Sequence, residues 1–211
     1  MTAPDRQPAT AHEQQRFAGV LGLVIGVVLL VGRGTVSRLV ADLAEVGRGD
    51  QVLDVGCGPG GAAREAARRG GAVTGVDPAP LMLAMGRWLS RGRSGRGIQF
   101  VTGTAEALPL PGQWVTVAWA ISSAHHWADV AAGLRELHRV MKPGGRLIIA
   151  ERLTQPGARG MAAHGFTTTQ AADIVTALRT AGFADAAYEA RRAGRRMLAV
   201  IRAHHSDSEP S

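Results

Sequence analysis

Two kinds of residue in this sequence could do chemistry, and both fall at the ends of apolar runs. The first is a glycine cluster. Val52–Gly61 reads VLDVGCGPGG, a hydrophobic run carrying Asp54 that passes through Gly56, Cys57, Gly58 and Gly60 before a helix-forming stretch. Glycines there let the backbone approach a ligand closely, and the N-terminus of the following helix favours negative charge. A second apolar run ends in Asp77, 21 residues beyond Gly56. A carboxylate at that place can accept hydrogen bonds from both hydroxyls of a ribose. The other kind is imidazole. His125 and His126 follow a later apolar run, Glu151 closes the next one, and His164 lies on the connection beyond it. Imidazole, with an ordinary pKa of about 6.5, can take a proton from a hydroxyl near neutral pH while a bond forms to its oxygen.

Each of these groups also has a plainer reading. Nucleotide-binding oxidoreductases and simple tight turns share glycine-rich loops, and here Ala62 and Ala63 stand where the dinucleotide fingerprint wants its last glycine. Glu151 could pair with Arg146 or Arg152 at the sheet edge, one imidazole of the pair could simply pack, and His164 could be a solvated loop histidine. Cys57 would need an activated thiolate for redox work. Asp54, His125, His126 and Glu151 are of metal-ligating types, but they show no tight spacing, so no metal is expected.

The elements that must position these residues follow from the hydrophobic pattern. From residue 51 onward strand-like runs alternate with helical ones, the mark of a parallel sheet covered on both faces. The pattern predicts strands at 51–55, 72–76, 98–102, 114–120, 146–150, 183–190 and 195–203, with helices at 61–69, 80–90, 128–141 and 168–181. The last two strands are joined only by Ala193 and Gly194, too little chain for a crossover, so they should form an antiparallel hairpin. Ligands of such a doubly wound sheet bind outside the carboxyl ends of its strands.

Length and composition narrow the function. The chain has 211 residues and 45% hydrophobic residues, room for one domain with a buried core. Cys57 is the single cysteine, so intrachain disulfides and cysteine-based zinc clusters are excluded and a reducing, cytoplasmic setting fits. The net charge of +7 would suit nucleic acid, yet every basic residue but Lys142 is Arg and aromatics make up only 4%. Clusters at 87–96 and 191–196 read as solvated basic faces, and no nucleic-acid partner is expected. Residues 1–16 and 204–211 are polar and expected to be disordered. The uncharged run 17–32, of sixteen residues, is short for a membrane span of about 20. It would serve as a helix buried against the domain, a contact with a membrane surface, or a homodimer contact. A helix at 35–46, with Val36, Leu39, Val40 and Leu43 at helical spacing, completes an N-terminal unit over 17–47, ahead of the main domain at 48–203.

Taken in order, VLDVGCGPGG, VTGVD, GTAEALPLP, the Ala-His-His-Trp after the fourth strand and HRVMKPGGRLIIAE resemble a class I S-adenosylmethionine-dependent methyltransferase. The nearest group is that of the ubiquinone and menaquinone biosynthesis methyltransferases and of small-molecule and sugar O-methyltransferases. The resemblance covers about residues 35–203. It implies an α/β, doubly wound, Rossmann-like sheet of order 3-2-1-4-5-7-6 with the last strand antiparallel and the N-terminal helices as a lid. It also implies S-adenosylmethionine as cofactor, S-adenosylhomocysteine as product and a small-molecule acceptor. On these positions it puts Gly56, Cys57, Gly58 and Gly60 around the methionine part, Asp54 near its amino group and Asp77 on the ribose. Met82 would pack on the adenine, with Ala105 and Glu106 at its far edge, and Pro78, Thr104 and Ser122 complete the cofactor set. His125, His126 and Glu151 would serve the acceptor, with His164 on the substrate side. Transfer to the hydroxyl of a sugar, a quinol or a lipid is the expected reaction. C-methylation and cofactor binding without catalysis are the alternatives, and the Pro-Pro-Tyr-type motif of exocyclic-nitrogen methylases is replaced here by ISSAHHW.

Overall fold

Seven strands hydrogen-bond side by side in the order β3-β2-β1-β4-β5-β7-β6. They run Gln51–Val55 (β1), Ala72–Asp77 (β2), Ile98–Thr102 (β3), Val115–Ile121 (β4), Met141–Arg152 (β5), Phe183–Ala193 (β6) and Arg196–His205 (β7). The structure, a computed structural model, describes residues 34–206 except 93, 94 and 96, and only the backbone of 161 and 162. The expected disorder of 1–16 and the three readings of 17–32 therefore lie outside the described residues. The pairs among β1 to β5 are parallel, while β7 is antiparallel to both β5 and β6, as the two-residue turn requires.

Period-two alternation sends the strand side chains to opposite faces, and each face has its own core. Leu53, Val55, Ala118, Ala120, Leu147 and Ile149 pack on one side against Leu134 and Leu137 of α4 (Val130–Val140) and Ile174 and Leu178 of α5 (Thr168–Thr180). Val52, Val117, Trp119 and Ile148 face the other way, toward Val36 and Val40 of α1 (Gly34–Leu43) and Ala62 and Ala66 of α2 (Gly61–Arg68). The remaining helix, α3 (Pro80–Leu89), follows β2, and its Leu83 packs with Cys57 and Phe100.

Element ends differ from expectation for local reasons. The first helix stops at Leu43, because the chain turns through Glu45 at φ 49° to deliver Asp50 and β1. The fourth helix stops at Val140: Met141 is already extended, at φ −81° and ψ 146°, two residues before Pro143. His204 and His205, assigned to the polar tail, belong to β7, where they pair with Arg146 and Phe183. Strand pairing outweighs side-chain polarity there, because only alternate residues must be apolar.

Candidate active site

The carboxyl ends of β1, β2, β4 and β5 converge on one edge of the sheet. At the end of β1, Gly56 and Cys57 both donate their backbone N–H to the Val76 carbonyl, at 2.8 and 3.0 Å, folding the glycine loop over β2. Gly60, at φ 74°, is the N-cap of α2, and a Cβ there would lie 2.6 Å from the Phe100 ring. Only glycine fits such a place. Asp77 ends β2 as a buried residue, 8% exposed. Its Oδ2 accepts from Gly58 N–H and its Oδ1 from Ala79 N–H, each at 2.9 Å. Burial raises its pKa above the ordinary carboxylate value, and the two backbone donors oppose that rise. Beside the loop, Asp54, Gly56, Cys57, Arg64, Glu65 and Ile121 help to line a cavity of about 220 Å³.

The Cys57 thiol is buried beside the loop. Burial, followed by the charges of Asp54 and Asp77, pushes its thiol well above the ordinary value, so the nucleophilic thiolate is suppressed.

At the end of β4 the sequence turns through Ser122, at φ 51°, whose N–H donates to the Ala150 carbonyl at 2.8 Å. Ser123, which motif reasoning missed, donates its buried hydroxyl to the Val55 carbonyl at 2.7 Å and so ties the exit of β4 to that of β1. Its neighbour Ala124 opens a short 3-10 turn, Ala124–His126, that presents the two histidines. Glu151 is fully buried at the end of β5. One of its oxygens accepts from Ala124 N–H and the other meets His125 Nδ1, both at 2.8 Å. The edge ion pair with Arg146 does not form, because Arg146 binds Asp50 instead. His164 is brought to the pair: its ring centroid lies 5.5 Å from that of His125 and 5.6 Å from that of His126, which are themselves 3.9 Å apart.

Residues 53–149 match the protein family described as "Methyltransferase domain". That stretch, just under half of the chain, is similar to a methyltransferase domain. The cofactor this similarity implies is S-adenosylmethionine. The chain is 36% identical over 104 residues to a ubiquinone biosynthesis O-methyltransferase of Pseudomonas aeruginosa, covering 48% of this chain and 44% of that protein. It is 39% identical over 99 residues to the demethylmenaquinone methyltransferase of Chlorobaculum parvum, covering 46% of this chain and 39% of that one. It thus spans less than half the length of these two relatives. In fold it is similar to a SAM-dependent methyltransferase from Aquifex aeolicus, with a TM-score of 0.69 and 18% identity over 82% of this chain and 92% of that one.

The structure places the remaining sequence candidates unevenly. Met82 is buried on α3, and Pro78 follows Asp77 directly before that helix. Ala105 belongs to the main core. Glu106 gives its carboxylate to the start of α4, accepting from Ala128 and Asp129 N–H at 2.8 and 3.3 Å, while Thr104 is an exposed residue bridged to Ala107. A second missed pair holds this loop: Glu136 accepts from Leu108 N–H, and Arg139 donates to the carbonyls of Leu108 and Leu110. An i,i+3 acid-base pair on a helix was the signal, but its reach to a distant loop is not written in the spacing.

Proposed function

We propose that this protein passes the methyl group of S-adenosylmethionine to a hydroxyl oxygen of a small molecule, with His125 as general base and Glu151 as the group that orients it. The observation that carries this reading is the bond between buried Glu151 and His125 Nδ1. A buried carboxylate on Nδ1 keeps the proton there, so the lone pair sits on Nε2, the nitrogen that must accept a proton.

The loop supports the cofactor half of the proposal. A carboxylate offers about four lone-pair directions, and Asp77 uses two on Gly58 and Ala79, leaving capacity for two ribose hydroxyls. The glycine-walled cavity, with Asp54 at its edge, suits the methionine part and its ammonium group. When bound, S-adenosylmethionine would supply an electrophilic methyl group whose transfer from sulfur to the acceptor oxygen would leave S-adenosylhomocysteine. The chain's own work is to hold the acceptor oxygen in line and to receive its proton at His125 Nε2. His126 and His164, both exposed, lie beside the His125 ring, at centroid distances of 3.9 and 5.5 Å, and an acceptor would be met by them. Quinol-like hydroxyls are the first acceptors to try, given the relatives named for quinone biosynthesis, and glycoside and lipid hydroxyls come second.

The test is a methyl-transfer assay with methyl-labelled cofactor against quinol, glycoside and lipid acceptors, analysed by mass spectrometry. One S-adenosylhomocysteine per O-methyl ether is the expected result. A C-methylated product would overturn the oxygen assignment. Intact cofactor binding with no product from any hydroxyl acceptor would overturn the hydroxyl class.

A further inference from the structure

Three imidazoles cluster beyond the carboxyl ends of β4 and β5. Each of His125, His126 and His164 offers a ring nitrogen, and these nitrogens all lie within 4.8 Å of one another. Two segments 38 positions apart are built to meet there. His125 and His126 are fixed by the 3-10 turn after β4, whose first N–H is bound by Glu151. His164 is fixed by its neighbours: Phe166 N–H donates to the Arg152 carbonyl at 2.9 Å and Thr154 N–H to the Phe166 carbonyl at 2.8 Å. Between them Gly165 sits at φ 140°, where a Cβ would lie 2.1 Å from the Arg152 oxygen. The connection after β5 therefore doubles back and is clamped to the residue next to Glu151, which carries His164 over the pair.

We propose that His125, His126 and His164 form a binding site for a divalent transition-metal ion of the zinc class. The donor set decides the class. Three imidazole nitrogens suit zinc, copper, nickel or cobalt, whereas magnesium and calcium require oxygen ligands. Three protein ligands leave a fourth position for a small oxygen ligand. The outer contact is present as well. Glu151 binds Nδ1 of His125, an arrangement that fixes the tautomer of a metal-ligating histidine and strengthens its other nitrogen as a donor. That other nitrogen, Nε2, is shielded from solvent and has no hydrogen-bond partner among the described residues. Tetrahedral zinc, with roughly 2.0–2.1 Å to nitrogen, holds its ligands about 3.4 Å apart. Closing from the present spacing needs side-chain rotation at His126 and His164, both of which are exposed. The metal set weighed from sequence, Asp54 with the paired histidines and Glu151, is not the one assembled, since Glu151 stands behind His125 and the third ligand is His164.

Metal binding rests on geometry alone, but its consequence rests on the base assigned to His125. One lone pair on Nε2 cannot hold a metal ion and accept a proton together. Ions of this class should therefore inhibit methyl transfer reversibly.

The site is tested with the full, untagged chain and Co2+, whose visible absorption intensifies in tetrahedral nitrogen coordination, followed by displacement with Zn2+. The expected result is saturable binding of one ion per chain, weakened at least tenfold by His164→Ala and by His126→Ala, roughly the scale on which even outer contacts act. Both side chains are exposed, and a thermal melt of each variant checks that the fold persists. His125→Asn, whose amide keeps a donor toward Glu151, should abolish binding. Absence of saturable binding, or binding indifferent to His126→Ala and His164→Ala, would overturn the site. Binding that leaves methyl transfer unaffected would keep the site and remove His125 from the role of base.

Discussion

Gly58 and Asp77 are joined by a 2.9 Å hydrogen bond from the loop N–H to the carboxylate Oδ2, so the residue assigned to the ribose also shapes the glycine loop. Replacing Asp77 acts on both. Asp77→Ala leaves the Gly58 and Ala79 N–H groups without their acceptor and removes the anion, and each charged hydrogen bond lost is worth about 1.5–3 kcal/mol. Cofactor affinity measured by calorimetry should fall by about ten- to a hundredfold or more. Because burial raises the Asp77 pKa above 3.8, the carboxylate takes up its proton at a higher pH than an exposed one. Affinity in the wild type should therefore decline as pH falls toward that raised value, and in Asp77→Asn it should stay nearly flat. Equal pH profiles for the two proteins would remove Asp77 from the cofactor site.

The clamp between Gly56 and Ser123 is a second point of failure. A Cβ on Gly56, already at φ 68°, would lie 2.4 Å from Ser123 Cβ. Gly56→Ala combines backbone strain with a collision, each of order 1–3 kcal/mol, and should lower the melting temperature and abolish detectable cofactor binding. Ser123→Gly removes the collision but also the bond to the buried Val55 carbonyl. In a double-mutant cycle it should be destabilising alone and partly corrective beside Gly56→Ala. Additive effects would show that the two residues do not press on each other.

The sequence carried the sheet well and the site unevenly, for one physical reason. Strand identity comes from local alternation, so 51–55 and 98–102 emerge with their ends correct. The antiparallel hairpin also follows, although the turn lies one residue later than expected: Ala193 still belongs to β6, and Gly194 and Arg195 leave no chain for a crossover. The place of Asp77 at the end of β2 was legible because the apolar run before it stops there. By contrast, Ser123 on Val55, Arg139 on the loop at 108–110 and His164 over His125 depend on contacts between segments 29 to 68 positions apart. Nothing in local spacing encodes those meetings. Glu106 shows the converse: its place in the motif was visible, but the capping of α4 that occupies its carboxylate was not.

Arg139 and Glu136 offer a test of the loop that borders the proposed adenine side. Arg139 donates to the Leu110 and Leu108 carbonyls at 2.9 and 3.0 Å, and Glu136 accepts from Leu108 N–H at 2.9 Å. Arg139 is 42% exposed, so solvent screening keeps the loss for Arg139→Ala to about 1–2 kcal/mol. Hydrogen exchange should show the loop amides opening before the sheet does. The Arg139 hydrogen bond holds the Glu136 pKa below 4.5, so the unfolded chain binds this proton first as pH drops. The contribution of the pair is then complete above 4.5 and lost as pH falls through the depressed value. An unfolding curve of Arg139→Ala should converge on that of the wild type at acid pH, and a constant offset would contradict this linkage.

The sharpest test of the chemistry is Glu151→Gln. Glutamine keeps the volume and can still accept from Ala124 N–H, but it then turns its NH2 toward His125 Nδ1. That donor requires a lone pair on Nδ1, so the proton of neutral imidazole moves to Nε2, and the nitrogen needed to accept a proton no longer can. Loss of a correctly oriented base costs about 10²–10⁴ in rate. The turnover number should fall on that scale while cofactor affinity holds within about twofold, because Glu151 touches none of the glycine-loop groups assigned to the cofactor. His125→Asn should fall equally far, and the double variant should be no worse than either single one, as expected of two residues that act as one device. A small, additive loss would instead make Glu151 a packing residue and shift the search for the base to His126 or His164.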